Sequence, residues 1–206
     1  MVTLNPANQQ TYDIMDGVFE EFKEVFGDQY IHVGGDEVNF GCWQKGADKD
    51  TIKAWMDANG IADYASLEKY FHKYSQASVE KLGVTPVVWE DVYVRGVASK
   101  NSVIQVWNDP SLLGSTTADG YKTIFSQGFY LDMQAPLCTG FTCSVHHMWV
   151  WTNRDFYAND PFDGLAPQQL ENVLGGEGCS WGESTDEQNF FDRVFQRYLA
   201  IAERLW

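Results

Sequence analysis

The chain has 206 residues, 44% of them apolar and 15% aromatic, which suits one globular domain that hides roughly 70% of its surface on folding. Fourteen Lys and Arg against 29 Asp and Glu give a net charge of −15, so the basic footprint of a phosphate binder is missing and nucleic acid or an anionic membrane surface is excluded as a partner. No run of about 18 apolar residues exists to span a bilayer, and the opening stretch MVTLNPANQQ lacks the basic segment and apolar run of a secretory signal.

Met15, Val18, Phe19, Phe22, Val25 and Phe26 recur at helical spacing behind Asn5-Pro6, read as an N-cap with proline at the first helical position, and Gly27 stops the helix. Tyr30 to Val33 reads as a buried strand running into Gly34-Gly35-Asp36-Glu37. Residues 50–58 predict a short helix. Leu67, Tyr70, Phe71, Tyr74 and Ala77 mark a longer one ending at Leu82-Gly83. Strands are expected at Val84 to Trp89, Val103 to Trp107, Gly128 to Leu131 and Val173 to Trp181. Their separations, about 14 residues or more, favour crossover connections and parallel pairing. Residues 133–171 read as a long functional loop carrying Trp149, Trp151 and Tyr157. Phe191, Val194, Phe195, Tyr198, Ala202 and Leu205 line one face of a closing helix.

The four cysteines are too few for a disulfide scaffold, and Cys138 and Cys143 alone are near enough in sequence to suggest a local bridge. His146-His147 are adjacent and lack the i, i+4 spacing of a zinc motif, so no metal is expected there.

Each expected strand delivers a carboxylate near its C-terminal end: Asp36-Glu37, Glu90-Asp91, Asp109, Asp132 and Glu183, four of the five with an aromatic residue as well. In a parallel α/β fold those ends share one face, where barrel enzymes assemble their sites. Aromatic rings beside carboxylates suit a neutral sugar, whose C–H face stacks on indole while its hydroxyls donate to carboxylates. Adjacent carboxylates past a Gly-Gly break also suit acid–base chemistry, since two close carboxylates push one pKa upward.

His32-Val33-Gly34-Gly35-Asp36-Glu37-Val38, followed by Cys42-Trp43, resembles the signature of the β-N-acetylhexosaminidases of glycoside hydrolase family twenty. Leu4-Asn5-Pro6, Val88-Trp89-Glu90, Ile104-Gln105-Val106-Trp107, Tyr130-Leu131-Asp132, Gly175-Gly176-Glu177, Cys179-Ser180-Trp181-Gly182-Glu183 and Ala202-Glu203-Arg204-Leu205-Trp206 follow in the family's order. The resemblance implies a (β/α)8 TIM-barrel fold and removal of terminal non-reducing N-acetyl-β-D-hexosamine with retention, the substrate's own acetamido oxygen acting as nucleophile. It implies Glu37 as general acid and then base, Asp36 as the partner of the acetamido N–H, and Tyr130 as donor to the acetamido oxygen. Trp89, Trp107 and Trp181 would wall the pocket, and Asp132 and Glu183 would accept sugar hydroxyls. His32 is expected to be structural. No cofactor or metal is implied, the partner is a carbohydrate, two copies could pair as a homodimer, and the expected compartment is lysosomal or secreted. Asp132-Met133, in place of a basic residue found in some members, implies preference for neutral over sulfated sugars.

About five strands are counted where the family's barrel has eight, so residues 1–206 are expected to be a partial barrel lacking roughly the first three βα units. The Arg that clamps the terminal sugar, an Asp and His behind the general acid, and the disulfide partner of Cys42 lie upstream in relatives. A fragment of an active enzyme and a non-catalytic sugar-binding remnant both fit this pattern. A double-displacement glycosidase fits less well, because the motif marks no separate nucleophile.

Overall fold

A computed structural model describes residues 3–132, 151–182 and 185–206. The chain divides into two compact units, Met1–Ile104 and Gln105–Trp206, the boundary falling inside a strand with no linker. The first unit carries α1 (Gln9–Phe26), β1 (Tyr30–His32), α2 (Gly41–Lys45), α3 (Lys49–Ala58), α4 (Tyr64–Lys81), β2 (Thr85–Trp89) and α5 (Glu90–Val94). Strand β3 (Val103–Val106) crosses the boundary. The second unit continues with α6 (Ser111–Ala118), β4 (Thr123–Phe125), α7 (Asn153–Ala158), α8 (Pro167–Leu170), β5 (Val173–Gly176), a π-helical turn at Phe191–Phe195, and α9 (Gln196–Leu205).

In the first unit the strand order is β1-β2-β3 and in the second β3-β4-β5. Pairing is parallel, with Tyr30 opposite Thr85 and His32 opposite Val87, and with Thr123 opposite Val173 before a register shift puts Phe125 opposite Gly176. Each of the long separations between strands contains at least one helix among the described residues, as the spacing predicts.

Helix α1 starts later than the Asn5-Pro6 signal suggests. The Asn5 side chain accepts the Ala7 N–H at 2.9 Å and closes a turn around Pro6, and the cap is Asn8, which accepts from Gln10 N. The left-handed Gly27 ends the helix as expected. Its apolar residues are largely uncovered, with Phe22, Val25 and Phe26 exposed.

The core of the first unit forms around Trp43, Ile52, Met56 and Leu67, and again around Ile31, Val79 and Val84. Helix α4 buries Leu67, as its apolar spacing indicates, but the rest of its inner face is partly polar: Tyr70 is exposed, whereas Glu68, His72, Gln76 and Val79 are buried. The second unit packs Val106, Leu113, Phe125, Phe129, Leu131, Phe156, Val194 and Ile201 together.

Two strand expectations in the second unit are corrected. The strand before Tyr130 is Thr123–Phe125, upstream of the expected Gly128–Leu131. Gly128 has φ +82° and a Cβ there would stand 2.3 Å from Asn159 Nδ2, so the position is a tight turn. The last strand stops at Gly176, and beyond it Tyr130 and Cys179 make an isolated parallel bridge. The closing helix buries Val194 and packs Leu205 as expected, but Ala200 and Ile201 complete its inner face, with Phe191, Phe195 and Tyr198 exposed. Its first five residues are π-helical, and that wider turn rotates everything after it relative to a regular 3.6-residue period.

Candidate active site

After β1, Val33 N still donates to Val87 O at 2.9 Å and Trp89 N to Gly34 O at 3.1 Å, so β2 guides the chain up to the first glycine. Gly34 and Gly35 then take φ +72° and +111°, and Glu37 follows at +45°, a left-handed conformation held by no other non-glycine among the described residues. Such a conformation costs on the order of 1–3 kcal/mol and persists where the surroundings enforce it. The enforcement is visible at Gly35, whose absent side chain would collide with Val92 and crowd His72. The Glu37 N–H donates to Asp91 Oδ1 at the long distance of 3.4 Å.

The two adjacent carboxylates leave this turn in different surroundings. Glu37 is exposed, while Asp36 is half-buried and lines a cavity of about 140 Å³ together with Gly35, Trp43, Glu68 and His72. Glu37 is outside that lining. His32 has a structural role: its Nδ1 accepts the Gly34 N–H at 3.0 Å, and its ring packs 4.7 Å from that of Trp89. Trp89 thus ends β2 against the start of the turn.

Sequence reasoning missed the buried group behind this turn. Glu68 and His72 are 1% and 4% exposed on the inner face of α4. Glu68 Oε2 lies 3.0 Å from Arg95 Nε, and His72 Nε2 lies 3.7 Å from Glu68 Oε1. Burial raises the Glu68 carboxyl above the ordinary range, with Arg95 opposing. Burial pushes His72 down to about 4, against the attraction of Asp91, so it is neutral at pH 7. The signal was present in the i, i+4 spacing of two polar residues beside Leu67, and reading α4 through its aromatics hid it.

In the second unit, Trp107 follows β3 and is half-buried. Asp109 has local work: it accepts from Ser111 N at 2.9 Å and Ser111 Oγ at 2.7 Å at the start of α6, and these bonds hold its carboxyl below the ordinary range. Tyr130 and Asp132 are both buried, at 6% and 5% exposure. The Tyr130 hydroxyl makes no well-aligned hydrogen bond among the described residues, with Trp181 and Cys179 as polar neighbours. Burial first, then Cys179 and Asp132, raise the phenol above its usual value, so it remains a proton donor. Cys179 is pushed up to about 12 by burial and by Glu177, which keeps it a thiol. Trp181 is 43% exposed. Glu183 lies outside the described residues, as do Met133, Cys138, Cys143, His146, His147 and Trp149.

Of the three aromatics singled out in the long connection, the two that are described, Trp151 and Tyr157, serve as anchors. Trp151 packs flat against Phe156, 6.4 Å between centroids, on the core of the second unit. The Tyr157 hydroxyl donates to Glu203. Helices α7 and α8 occupy what the sequence leaves irregular within 151–171. Among the described residues no cluster of His, Cys, Asp and Glu could hold a metal ion, and no helix is long and apolar enough to cross a membrane.

The parts are therefore a carboxylate pair on a constrained turn in one unit, and a buried phenol, a buried carboxylate and an accessible indole in the other. The family model for the glycosyl hydrolase family 20 catalytic domain matches residues 1–206. The chain is 52% identical over 210 residues to β-hexosaminidase subunit beta of Entamoeba histolytica, covering 100% of this chain and 37% of that protein. It is 32% identical over 209 residues to the human β-hexosaminidase subunit beta, covering 98% and 35%. The chain thus spans little more than a third of the length of these relatives. Among solved structures it is similar to the exo-β-N-acetylglucosaminidase of Vibrio harveyi in complex with N-acetylglucosamine, with TM-score 0.83 and 25% identity, over 99% of this chain and 32% of that one. The Flavobacterium johnsoniae chitobiase gives TM-score 0.79 and 28% identity over 99% and 30%. Parallel strands alternating with helices are part of the (β/α) barrel of these enzymes, and the chain belongs to the catalytic domain of glycosyl hydrolase family 20.

Proposed function

We propose that the protein of which this chain is part hydrolyses terminal, non-reducing N-acetyl-β-D-hexosamine from glycoconjugates or chitooligosaccharides by retaining, substrate-assisted catalysis. The observation that carries the reading is the Gly34-Gly35 turn, which holds Glu37 in a left-handed conformation directly after Asp36. Strain of that kind belongs where a side chain must be aimed.

In this reading Glu37 protonates the departing glycosidic oxygen while the substrate's acetamido oxygen attacks the anomeric carbon. Asp36 accepts the acetamido N–H and offsets the positive charge of the oxazolinium intermediate. Glu37 then takes a proton from water as that water opens the intermediate with net retention. The Tyr130 hydroxyl donates to the acetamido oxygen and orients it for attack. Trp89, Trp107 and Trp181 wall the acetamido group and exclude water from the intermediate. Asp132 and Glu183 accept hydroxyl hydrogens.

The same proposal takes residues 1–206 as the later part of a barrel, with roughly three βα units before it, and assigns the protein to a lysosomal or secreted compartment. The relatives are named as subunits, which supports pairing of two copies. A magnetic resonance time course on the full protein tests the mechanism: the β-anomer of N-acetylglucosamine appears first. Initial release of the α-anomer rules out retention, and saturable binding of N-acetylglucosamine without turnover identifies a sugar-binding remnant.

A further inference from the structure

Tyr130 and Asp132 flank Leu131, whose side chain is 1% exposed within the core of the second unit. Its backbone is held at both ends. The Leu131 N–H donates to Cys179 O at 2.7 Å, and the Leu131 carbonyl accepts from Arg197 Nη2. The same guanidinium donates through Nη1 to Trp151 O at 2.8 Å and through Nε to Arg193 O at 2.9 Å. Arg197 thus joins α9 to two backbone segments twenty positions apart in the chain, using three donors of its planar fork.

This arrangement exceeds what holding a helix requires. Carbonyl groups near a helix end can be satisfied by water or by lysine, but two carbonyls from separate segments, each facing a different nitrogen of one rigid plane, fix distance and angle together. The side chain is half-buried, and the Asp132 carboxylate acts on its charge. One cation therefore lies against the backbone between Tyr130 and Asp132 and in the field of the second.

We propose that Arg197 is a positioning residue that sets the placement of Tyr130 and Asp132 for the substrate. This rests on the hydrolase reading above and adds a residue to it: Arg197 touches no substrate atom and acts through the Leu131 carbonyl. A misplacement of about 1 Å at such a distance from the reacting atoms costs on the order of 100-fold in rate.

The test is Arg197→Ala and Arg197→Lys in the full chain, read by hydrogen exchange and by kinetics on an aryl N-acetyl-β-glucosaminide. In both variants, exchange of residues 129–132 accelerates at least about ten-fold while protection in β4 and α6 is retained, the signature of a local opening. Arg197→Ala loses about 100-fold in kcat/KM, with KM raised. Millimolar guanidinium restores about ten-fold or more of that loss in Arg197→Ala and none in Arg197→Lys, whose ammonium fills the space without the fork. Unchanged exchange at 129–132, or kcat/KM within about twofold of the parent, overturns the proposal. So does a uniform loss of protection across residues 105–206 without rescue. If the parent protein has no turnover, the hydrolase reading fails by itself, and the exchange measurement still decides whether Arg197 holds this segment.

Discussion

Gly35 sits so close to Val92 that a Cβ on it would stand 2.3 Å from Val92 Cγ2. The contact couples the turn carrying Asp36 and Glu37 to α5, the helix that also supplies Asp91 to the Glu37 N–H. Gly35→Ala meets this clash and a φ of +111°, and is expected to cost roughly 2–4 kcal/mol of stability with loss of activity. Adding Val92→Ala removes the clash and leaves the strain. The double variant is therefore more stable than the sum of the two single effects, by about 1 kcal/mol in a denaturant cycle. Simple additivity contradicts the coupling.

Tyr130→Phe separates stability from function. Because the buried hydroxyl makes no well-aligned hydrogen bond among the described residues, deleting it is expected to leave the unfolding midpoint unchanged or slightly raised. If the hydroxyl donates to the acetamido oxygen, kcat/KM falls by about 100-fold. A large drop in midpoint with little change in kcat/KM contradicts the assigned role.

His72 gives a pH dependence with a definite sign. Its folded value of about 4 lies below the ordinary 6.5, so the unfolded chain binds the extra proton between those values. The stability it confers is complete above pH 6.5 and is lost as pH falls toward 4, by up to ~3 kcal/mol. Glu68, raised by burial, acts in the opposite direction, and Asp91 and Arg95 also face the imidazole. Urea midpoints of the parent and of His72→Met between pH 7 and 4.5 isolate the histidine, with the steeper decline expected in the parent. Parallel curves remove His72 as the cause.

Asp132 is a buried carboxylate, and a sulfated sugar brought to it adds like charge. The neutral N-acetylglucosaminide is expected to be cleaved at least about ten-fold more efficiently than its sulfated counterpart, a gap narrowed by Asp132→Asn. Equal kcat/KM values for the two substrates contradict this.

Much of this was legible in the residues. The parallel pairing follows from strand spacing, and the turn from Gly34-Gly35 with its neighbouring carboxylates, because both depend on local chemistry. Asp109 shows a limit of that reading: it has the right type and place for a sugar-binding carboxylate, yet it is tied to Ser111. The inner faces of α4 and of the closing helix are only partly legible, for separate reasons. In α4 the buried stripe is partly polar, so apolar spacing points elsewhere. In α9 a π-turn shifts the period. Arg197 is illegible because the Leu131 and Trp151 carbonyls it holds are remote in sequence, which no side-chain pattern announces.

The central claim, that Glu37 on its constrained turn is the acid–base group of an N-acetylhexosaminidase, is tested most directly by chromophore release from an aryl N-acetyl-β-glucosaminide by the full protein and by Glu37→Gln. Turnover in the parent, lowered at least about 100-fold in the variant with sugar binding retained, is the expected result. Comparable turnover in Glu37→Gln contradicts it.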